Sequence, residues 1–261
     1  MATPSFVRCL NDFSIRDDVS IERKTKELET RIFSAVQRYP EEAYLREVEA
    51  RFCDLIDKNE QAIKALERAF AINKRSSFIA LRLAKVYDRN SRLDDAIKIL
   101  KDCLDAHSEH HIHFHLAMLL YKLPNGNKAE IAHHLRESFT EGDSFYTAQF
   151  WYARHLYLEG NYGEAHNIFT KLAEANIDSD LKRKPRETVK ENGNPKLFSG
   201  KIFKKEASFT YIIRDGVADK TYSYHYHSKP DEWDKLSYNK RVVYELAFNY
   251  YGAYALNIRG E

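Results

Sequence analysis

The sequence is poor in cysteine, and it lacks both long apolar runs and the short motifs of common catalytic sites. Its three cysteines, Cys9, Cys53 and Cys103, do not stand at metal-ligand or redox spacing. No stretch approaches the ~20 apolar residues of a membrane-spanning helix. The GxxxxGKS/T, GxGxxG, GxSxG and HExxH patterns are also missing. These absences disfavour a disulfide scaffold, a membrane helix and the enzymes that those motifs mark. We therefore expect a protein of the reducing cytoplasm that is not an enzyme.

The charge of the chain is nearly balanced. Lysine and arginine number 41 against 39 acidic residues, which gives a net charge of +2. Apolar residues make up 43% of the 261 positions, enough to build a core rather than a disordered chain. Binding to nucleic acid, if present, must therefore use a local basic patch.

Four short segments recur at steps of 34, 35 and 34 residues, namely AIKALERAF (62–70), AIKILKDCL (96–104), IAHHLRESF (131–139) and AHNIFTKLA (165–173). Twelve residues before these segments stand Ala50, Ala84, Leu119 and Ala153, where small side chains would allow close helix contacts. The pattern resembles the tetratricopeptide repeat family, in which each repeat is a pair of antiparallel helices. The resemblance implies a helical solenoid of about four repeats over residues 20–179. Loops are predicted near residues 40, 58, 75, 92, 108, 125, 143 and 161, and Cys53 and Cys103 fall on buried positions.

The repeat array begins in the middle of a repeat. Residues 20–38 match a second helix that ends before Pro40, whereas residues 1–19 match a first helix poorly. We expect residues 1–19 to be a partial or capping helix, and the chain to be the C-terminal piece of a longer protein.

Helical periodicity stops near Ile177. Residues 180–196 are rich in charge, proline and glycine, which predicts a linker. From residue 197 the apolar period changes to two, with turns at Asp215-Gly216 and around Gly252. Residues 197–261 are therefore predicted to form a five-stranded barrel of the oligonucleotide-binding type. The fold class is mainly α with a small all-β domain.

The second domain resembles the cold-shock family in part, through SGKIFKK (199–205), EASFTYI (206–212), TYSYHYH (221–227) and NKRVVYELAFNYYGAYALNI (239–258). Both glycines of the family's first motif are replaced, and the first-strand tryptophan position holds Lys204. The resemblance implies single-stranded RNA or DNA stacked on exposed aromatic rings. The matching residues are Lys204, Phe209, Tyr211 and either His225 or His227, and the register leaves that last choice open. Nine basic residues against three acidic ones over 180–205 favour such binding.

The first helices of the repeats would line a groove for a protein or peptide partner. Matching repeat positions hold Arg51, Lys85 and Arg154, with Phe150 beside them, and these cations could form a stripe that holds carboxylates or phosphates. Ion pairing with acidic residues along the groove is an equally good interpretation. The lysine-asparagine pair of the family's peptide-carboxylate clamp is not found.

The histidines between 107 and 134 invite a metal site, since His111 and His115 stand four apart on a predicted helix. No cysteine or carboxylate at ligand spacing completes such a site, and we expect no metal and no cofactor.

The order of helical repeats followed by such a barrel resembles the C-terminal region of large bacterial STAND-type NTPases. This resemblance implies a sensor of a trigger, such as phage-derived protein or nucleic acid, in a defence system. The alternative is a stand-alone single-strand-binding protein with a partner-docking repeat domain.

Overall fold

A computed structural model describes residues 18–191, 193–217, 220–224 and 229–261. The predicted helix at residues 1–19 therefore lies outside the described residues except for its last two. The chain divides into two compact units, residues 1–126 and 127–261. In the described part no helix combines the length and the apolar character needed to cross a membrane.

The first unit is built from antiparallel helices joined by short loops. The helices are α1 (Asp18–Arg38), α2 (Ala43–Leu55), α3 (Asn59–Ile72), α4 (Ser77–Arg89), α5 (Leu93–Ala106) and α6 (His110–Leu120). The second unit adds α7 (Lys128–Arg136), α8 (Tyr146–Leu158), α9 (Tyr162–Glu174) and the short α10 (Ser179–Arg183). Every predicted loop position falls between two of these helices.

The residues through which the helices of the repeats contact one another, which we call the repeat seam, are buried in both units. The small residues at the predicted helix contacts, Ala50, Ala84 and Ala153, are at most 4% exposed. The residues that continue the seam through the second helices are equally buried: Ala62, Leu66, Ala69, Ala96, Leu100, Cys103, Ile131, Leu135, Ser138, Ala165, Phe169 and Leu172. The 34-residue alignment thus identifies the core of the helical part. Burial raises the pKa of the Cys53 and Cys103 thiols, which agrees with a packing role.

The second unit also contains a mostly antiparallel six-stranded sheet and a separate two-stranded sheet. Three two-residue strands come first, β1 (Glu187–Thr188), β2 (Lys190–Glu191) and β3 (Asn194–Pro195). The two-stranded sheet is formed by β2, which pairs with β3. The longer strands are β4 (Leu197–Lys205), β5 (Phe209–Arg214), β6 (Lys220–Tyr224), β7 (Arg241–Asn249) and β8 (Gly252–Gly260). The helix α11 (Pro230–Asp234) lies between β6 and β7.

The strands pair in the order β1-β7-β4-β5-β6-β8, and β7 also pairs with β8. All of these pairs are antiparallel except β6 with β8, where Tyr222 is opposite Tyr254. Strands β4, β5, β7 and β8 lie in the region of predicted period-two alternation. Within the segment TYSYHYH (221–227) the structure describes residues 221–224, which belong to β6. The structure gives a sheet region, and the closed five-stranded barrel stays a prediction.

The predicted linker at 180–196 carries regular structure. It contains most of α10 together with β1, β2 and β3, and β1 pairs with β7 through Glu187 opposite Phe248. Further backbone hydrogen bonds run from Arg186 N to Phe248 O (3.0 Å) and from Tyr250 N to Lys182 O (3.1 Å). The charged composition that suggested a linker therefore belongs to a segment held against the sheet by its main chain.

Helices α8 and α9 share one aromatic core with β7 and the turn that follows it. The Tyr157 and Phe248 rings meet edge to face at 5.4 Å between centroids, and Phe169 stacks on Phe248 at 6.3 Å. Phe150 meets Tyr250 at 5.6 Å. In residues 127–261 the sheet thus covers apolar surface of the helix pair α8–α9.

Candidate functional site

A cleft of about 540 Å³ lies between the first helices of two successive repeats, α4 and α6, with α5 beneath. Its apolar wall consists of Phe78, Leu81, Ala84, Leu100, Met118 and Leu119. Its polar lining consists of Arg82, Lys85, Asp88, His115 and Lys122. We refer to these eleven residues as the α4–α6 cleft. An apolar surface with a few convergent polar groups is typical of a site that binds another molecule.

Most charges of the cleft are engaged within the protein. The Arg82 guanidinium donates to Glu47 Oε1 at 2.6 Å and to Asp54 Oδ2 at 3.2 Å. The Lys122 ammonium donates to both carboxylate oxygens of Asp88, at 2.7 and 2.6 Å. These pairs engage all three of the carboxylates involved, those of Glu47, Asp54 and Asp88.

Lys85 is exposed and, unlike Arg82 and Lys122, is not held in an ion pair with a described residue. Over the described residues, no hydrogen bond or ion pair joins its ammonium to another group. Its charge is felt by the nearby His115, whose pKa is lowered first by partial burial of the ring and then by the charges of His111 and Lys85. The cleft therefore presents one available cation beside a histidine that favours its neutral form.

The other predicted groove residues lie elsewhere. The Arg51 side chain is a neighbour of the cleft, since its Nε donates to Glu47 Oε1 at 2.8 Å and its guanidinium lies 5.7 Å from the Phe78 ring. Phe150 is 1% exposed and contacts Tyr250 in the turn after β7, and Arg154 is 8% exposed and contacts Phe248 of β7. The Arg154 guanidinium lies over the Trp151 and Phe248 rings at 5.1 and 5.5 Å. This position differs from the open groove predicted for Phe150 and Arg154, because the sheet covers the surface on which they stand.

A second candidate surface lies on β4 and β5. Phe209 and Tyr211 are half-buried neighbours whose ring centroids lie 5.4 Å apart, edge to face. The register places Lys204 opposite Tyr211. Directly opposite residues of antiparallel strands share a face, so Lys204, Phe209 and Tyr211 lie on one side of the sheet. Thr210 and Ile212 alternate with them and are fully buried. We refer to these three residues as the β4–β5 face.

The basic side chains near this face are only partly available. Lys204 pairs with Glu206 at 2.6 Å, and this hydrogen bond raises the lysine pKa. Lys205 turns instead to α11 and donates to the carbonyl oxygens of Trp233 and Leu236, at 2.7 and 3.1 Å. The two histidines predicted for this surface, His225 and His227, lie outside the described residues.

The described part of the chain brings no three metal-ligating side chains together. His111 and His115 share α6, as predicted, and the described residues place no third metal-ligating side chain with them.

No protein-family model matches this sequence, and no curated protein sequence does. Among solved structures, a MamA double mutant aligns over 65% of this chain and 89% of its own, at 10% identity and a TM-score of 0.50. The helical part has a tetratricopeptide-like fold. Two further structures align at lower scores. One is described as YrrB, a tetratricopeptide protein with an unusual peptide-binding site (18% identity, 56% of this chain and 74% of that one, TM-score 0.47). The other is PilF of Pseudomonas aeruginosa (13% identity, 67% and 76%, TM-score 0.49).

Proposed function

We propose that this chain is a non-catalytic interaction module of the cytoplasm, and that its α4–α6 cleft holds a peptide segment of a partner protein. The observation that carries this proposal is an apolar cleft of about 540 Å³ on the first helices of two successive repeats. Helix pairs that stack in repeats generate such concave surfaces.

Filling the cleft tests this function. Peptides are selected from a random display library against the full chain, and the best are synthesised with a fluorescent label for anisotropy measurements. Met118→Trp enlarges a half-buried side chain on the cleft wall. We expect this change to weaken binding at least tenfold. Leu55→Trp, at an exposed residue at the end of α2, is the matched control and should bind as the unaltered chain does. Equal affinity of the Met118→Trp chain would place the binding site elsewhere.

A second candidate function is the binding of single-stranded RNA or DNA by a barrel of the oligonucleotide-binding type. The pairing order supports such a barrel, because β8 returns to β7 and β7 pairs with β4, the first of the long strands. The β4–β5 face supports the ligand, because two aromatic rings and Lys204 lie side by side there. Bases stack on aromatic rings, and a nearby cation contacts the phosphates.

This candidate is tested by anisotropy with labelled oligo-dT and oligo-U on the full chain at low and moderate salt. Binding should weaken as salt rises, because phosphate contacts release counterions. Phe209→Ala together with Tyr211→Ala should lose roughly 2–6 kcal/mol for two stacked bases. Tyr238→Ala removes another exposed aromatic ring and is the control. An absence of binding at low salt, or a double variant that binds as tightly, would contradict this function.

The larger context stays a proposal that rests on domain order. A helical repeat region followed by a small β-domain is the arrangement that resembles the C-terminal, trigger-sensing part of STAND-type NTPases. The gene decides this point. A reading frame that continues upstream into an ATPase domain would support a defence-type sensor, and a stop codon directly upstream would contradict it.

A further inference from the structure

The charges of the α4–α6 cleft favour an anionic partner. The cleft lining carries Arg82, Lys85 and Lys122 against Asp88 alone. Asp88 is held by Lys122 on two oxygens, and Arg82 is held by Glu47 and Asp54. A basic partner would therefore meet like charge without an available acid, while an acidic partner would meet Lys85.

The position of Lys85 on α4 fixes where that acid must lie. Phe78, Leu81 and Lys85 follow one another at spacings of three and four residues, so they line one face of the helix. The rise of about 1.5 Å per residue separates the Leu81 and Lys85 positions by about 6 Å along the axis. In an extended peptide, residues i and i+2 are about 6.8 Å apart and point to the same side. One strand laid along α4 can thus place an apolar side chain against Leu81 and a carboxylate against Lys85.

We infer that the cleft recognises an acidic linear segment in which a large apolar side chain and an aspartate or glutamate stand two residues apart. This inference rests on the proposed function of the cleft and names the chemistry of its partner. The apolar side chain packs on Leu81 and Met118, and the carboxylate accepts from the Lys85 ammonium. A single available lysine matches a carboxylate, whereas a phosphate dianion is typically held by several donors or by a bidentate arginine.

Peptide selection with charge-reversed protein tests this specificity. The same random library is selected on the unaltered full chain, on Lys85→Glu and on Lys98→Glu, which reverses an exposed lysine of α5 outside the cleft. We expect the unaltered chain and Lys98→Glu to enrich an acidic residue two positions from a large apolar one. Lys85→Glu should enrich lysine or arginine at that position instead. Peptides without an acidic excess, or the same acidic motif on Lys85→Glu, would overturn the inference.

Affinities measured with variants of one selected peptide show whether the carboxylate that binds Lys85 belongs to a side chain or to the peptide C-terminus. Replacing its acidic residue by the amide, or changing Lys85→Gln in the protein, should each weaken binding about tenfold, and the two changes together should cost little more than one. Amidation of the peptide C-terminus should leave the affinity unchanged. A requirement for the free C-terminus would overturn the internal motif.

The outcomes also distinguish this inference from the proposed function. If Met118→Trp abolishes binding but the charge changes do not alter the selected motif, the cleft binds peptides and only its acidic specificity is contradicted. If Met118→Trp binds the selected peptides as tightly as the unaltered chain, both the site and the specificity fail.

Discussion

Three turns of the helical part depend on a single backbone conformation. Asp57, Ser91 and Gly160 each follow the first helix of a repeat with a positive φ, of 57°, 59° and 89°. The amide of the next residue donates five positions back in all three, at 2.9 Å, for example from Arg92 N to Tyr87 O. This is the hydrogen bond of a Schellman motif, in which glycine is the preferred left-handed residue. Two of the three turns therefore use a residue that is strained at its position.

Substitutions at these turns should change stability in opposite directions. Ser91→Gly relieves a left-handed non-glycine residue and should stabilise its unit by about 1 kcal/mol. Gly160→Ala should destabilise by about the same amount through backbone strain, because a Cβ at Gly160 would meet no atom within 4 Å. Urea unfolding of the full chain measures both. Gly163→Ala is the control, since its Cβ also has open space and its φ is not positive. A Gly160→Ala variant as stable as Gly163→Ala would contradict the strain argument.

His115 should make partner binding depend on pH. Its pKa is lowered in the free protein by partial burial and by the charges of His111 and Lys85. A carboxylate bound at Lys85 would raise that pKa, so binding takes up a proton and strengthens as pH falls from 7.5 to 5.5. The peptide carboxylate stays ionised there, since its own pKa is about 4. Anisotropy across this range should show the trend, and His115→Gln should remove it. Arg82, Asp88 and Lys122 are the other charged residues that line the cleft.

The residues of the seam could be predicted from the sequence, and the surroundings of Arg154 could not. Ala50 and Ala153 are recognisable because close helix contacts demand small side chains at a fixed period. Repeat position alone assigned Phe150 and Arg154 to an open groove. The residues that cover them, Phe248 and Tyr250, lie about a hundred positions later in the chain, and no local pattern links the two.

At the scale of the helix, the contact at Ala50 should tolerate no larger side chain. Ala50 on α2 is fully buried, so Ala50→Leu forces extra methylene groups into a packed contact. Overpacking of this kind costs about 1–3 kcal/mol. Thermal and urea unfolding should show the loss. The control is Ala71→Leu at an exposed position of α3, where little change is expected. Equal stability of the two variants would mean that α2 can shift to make room.

The elements that sequence patterns missed are the short ones. Strands β1, β2 and β3 contain two residues each, too few to display a period of two, and α11 contains five. The longer strands could be predicted because apolar and polar residues alternate over several positions in each of them. Gly200 in β4 illustrates a residue with a specific role, since a Cβ there would lie 2.5 Å from Ile213 O and 2.8 Å from Ile212 Cγ2. The glycine permits β4 and β5 to approach, which brings Lys204 opposite Tyr211.

At the scale of the second unit, side chains and main chain bind the helices to the sheet. Arg186 lies over the Tyr250 ring at 3.8 Å, and the Arg214 guanidinium donates to Tyr162 Oη at 3.0 Å. The Asn249 amide donates to Arg183 O at 3.3 Å. Removing α8 and α9 would expose Phe248 and Tyr250, which are at most 4% exposed. We therefore expect the sheet to depend on the helices for its stability, because without them one apolar face of its strands would be exposed to water.

This dependence predicts how truncated chains behave. A fragment of residues 180–261 follows the boundary suggested by composition and exposes the apolar face of β7. A fragment of residues 127–261 keeps α8 and α9 against the sheet, together with α7. We expect the longer fragment to unfold cooperatively in urea and to give dispersed amide signals by NMR. The shorter fragment should give neither result. Phe248→Ala in the longer fragment should cost about 3–5 kcal/mol, because its ring contacts both Tyr157 and Phe169. Cooperative unfolding of residues 180–261 alone, at the stability of the longer fragment, would show that the sheet is autonomous. Because the expected result is the opposite, nucleic-acid binding by the β4–β5 face must be measured on chains that retain the helices.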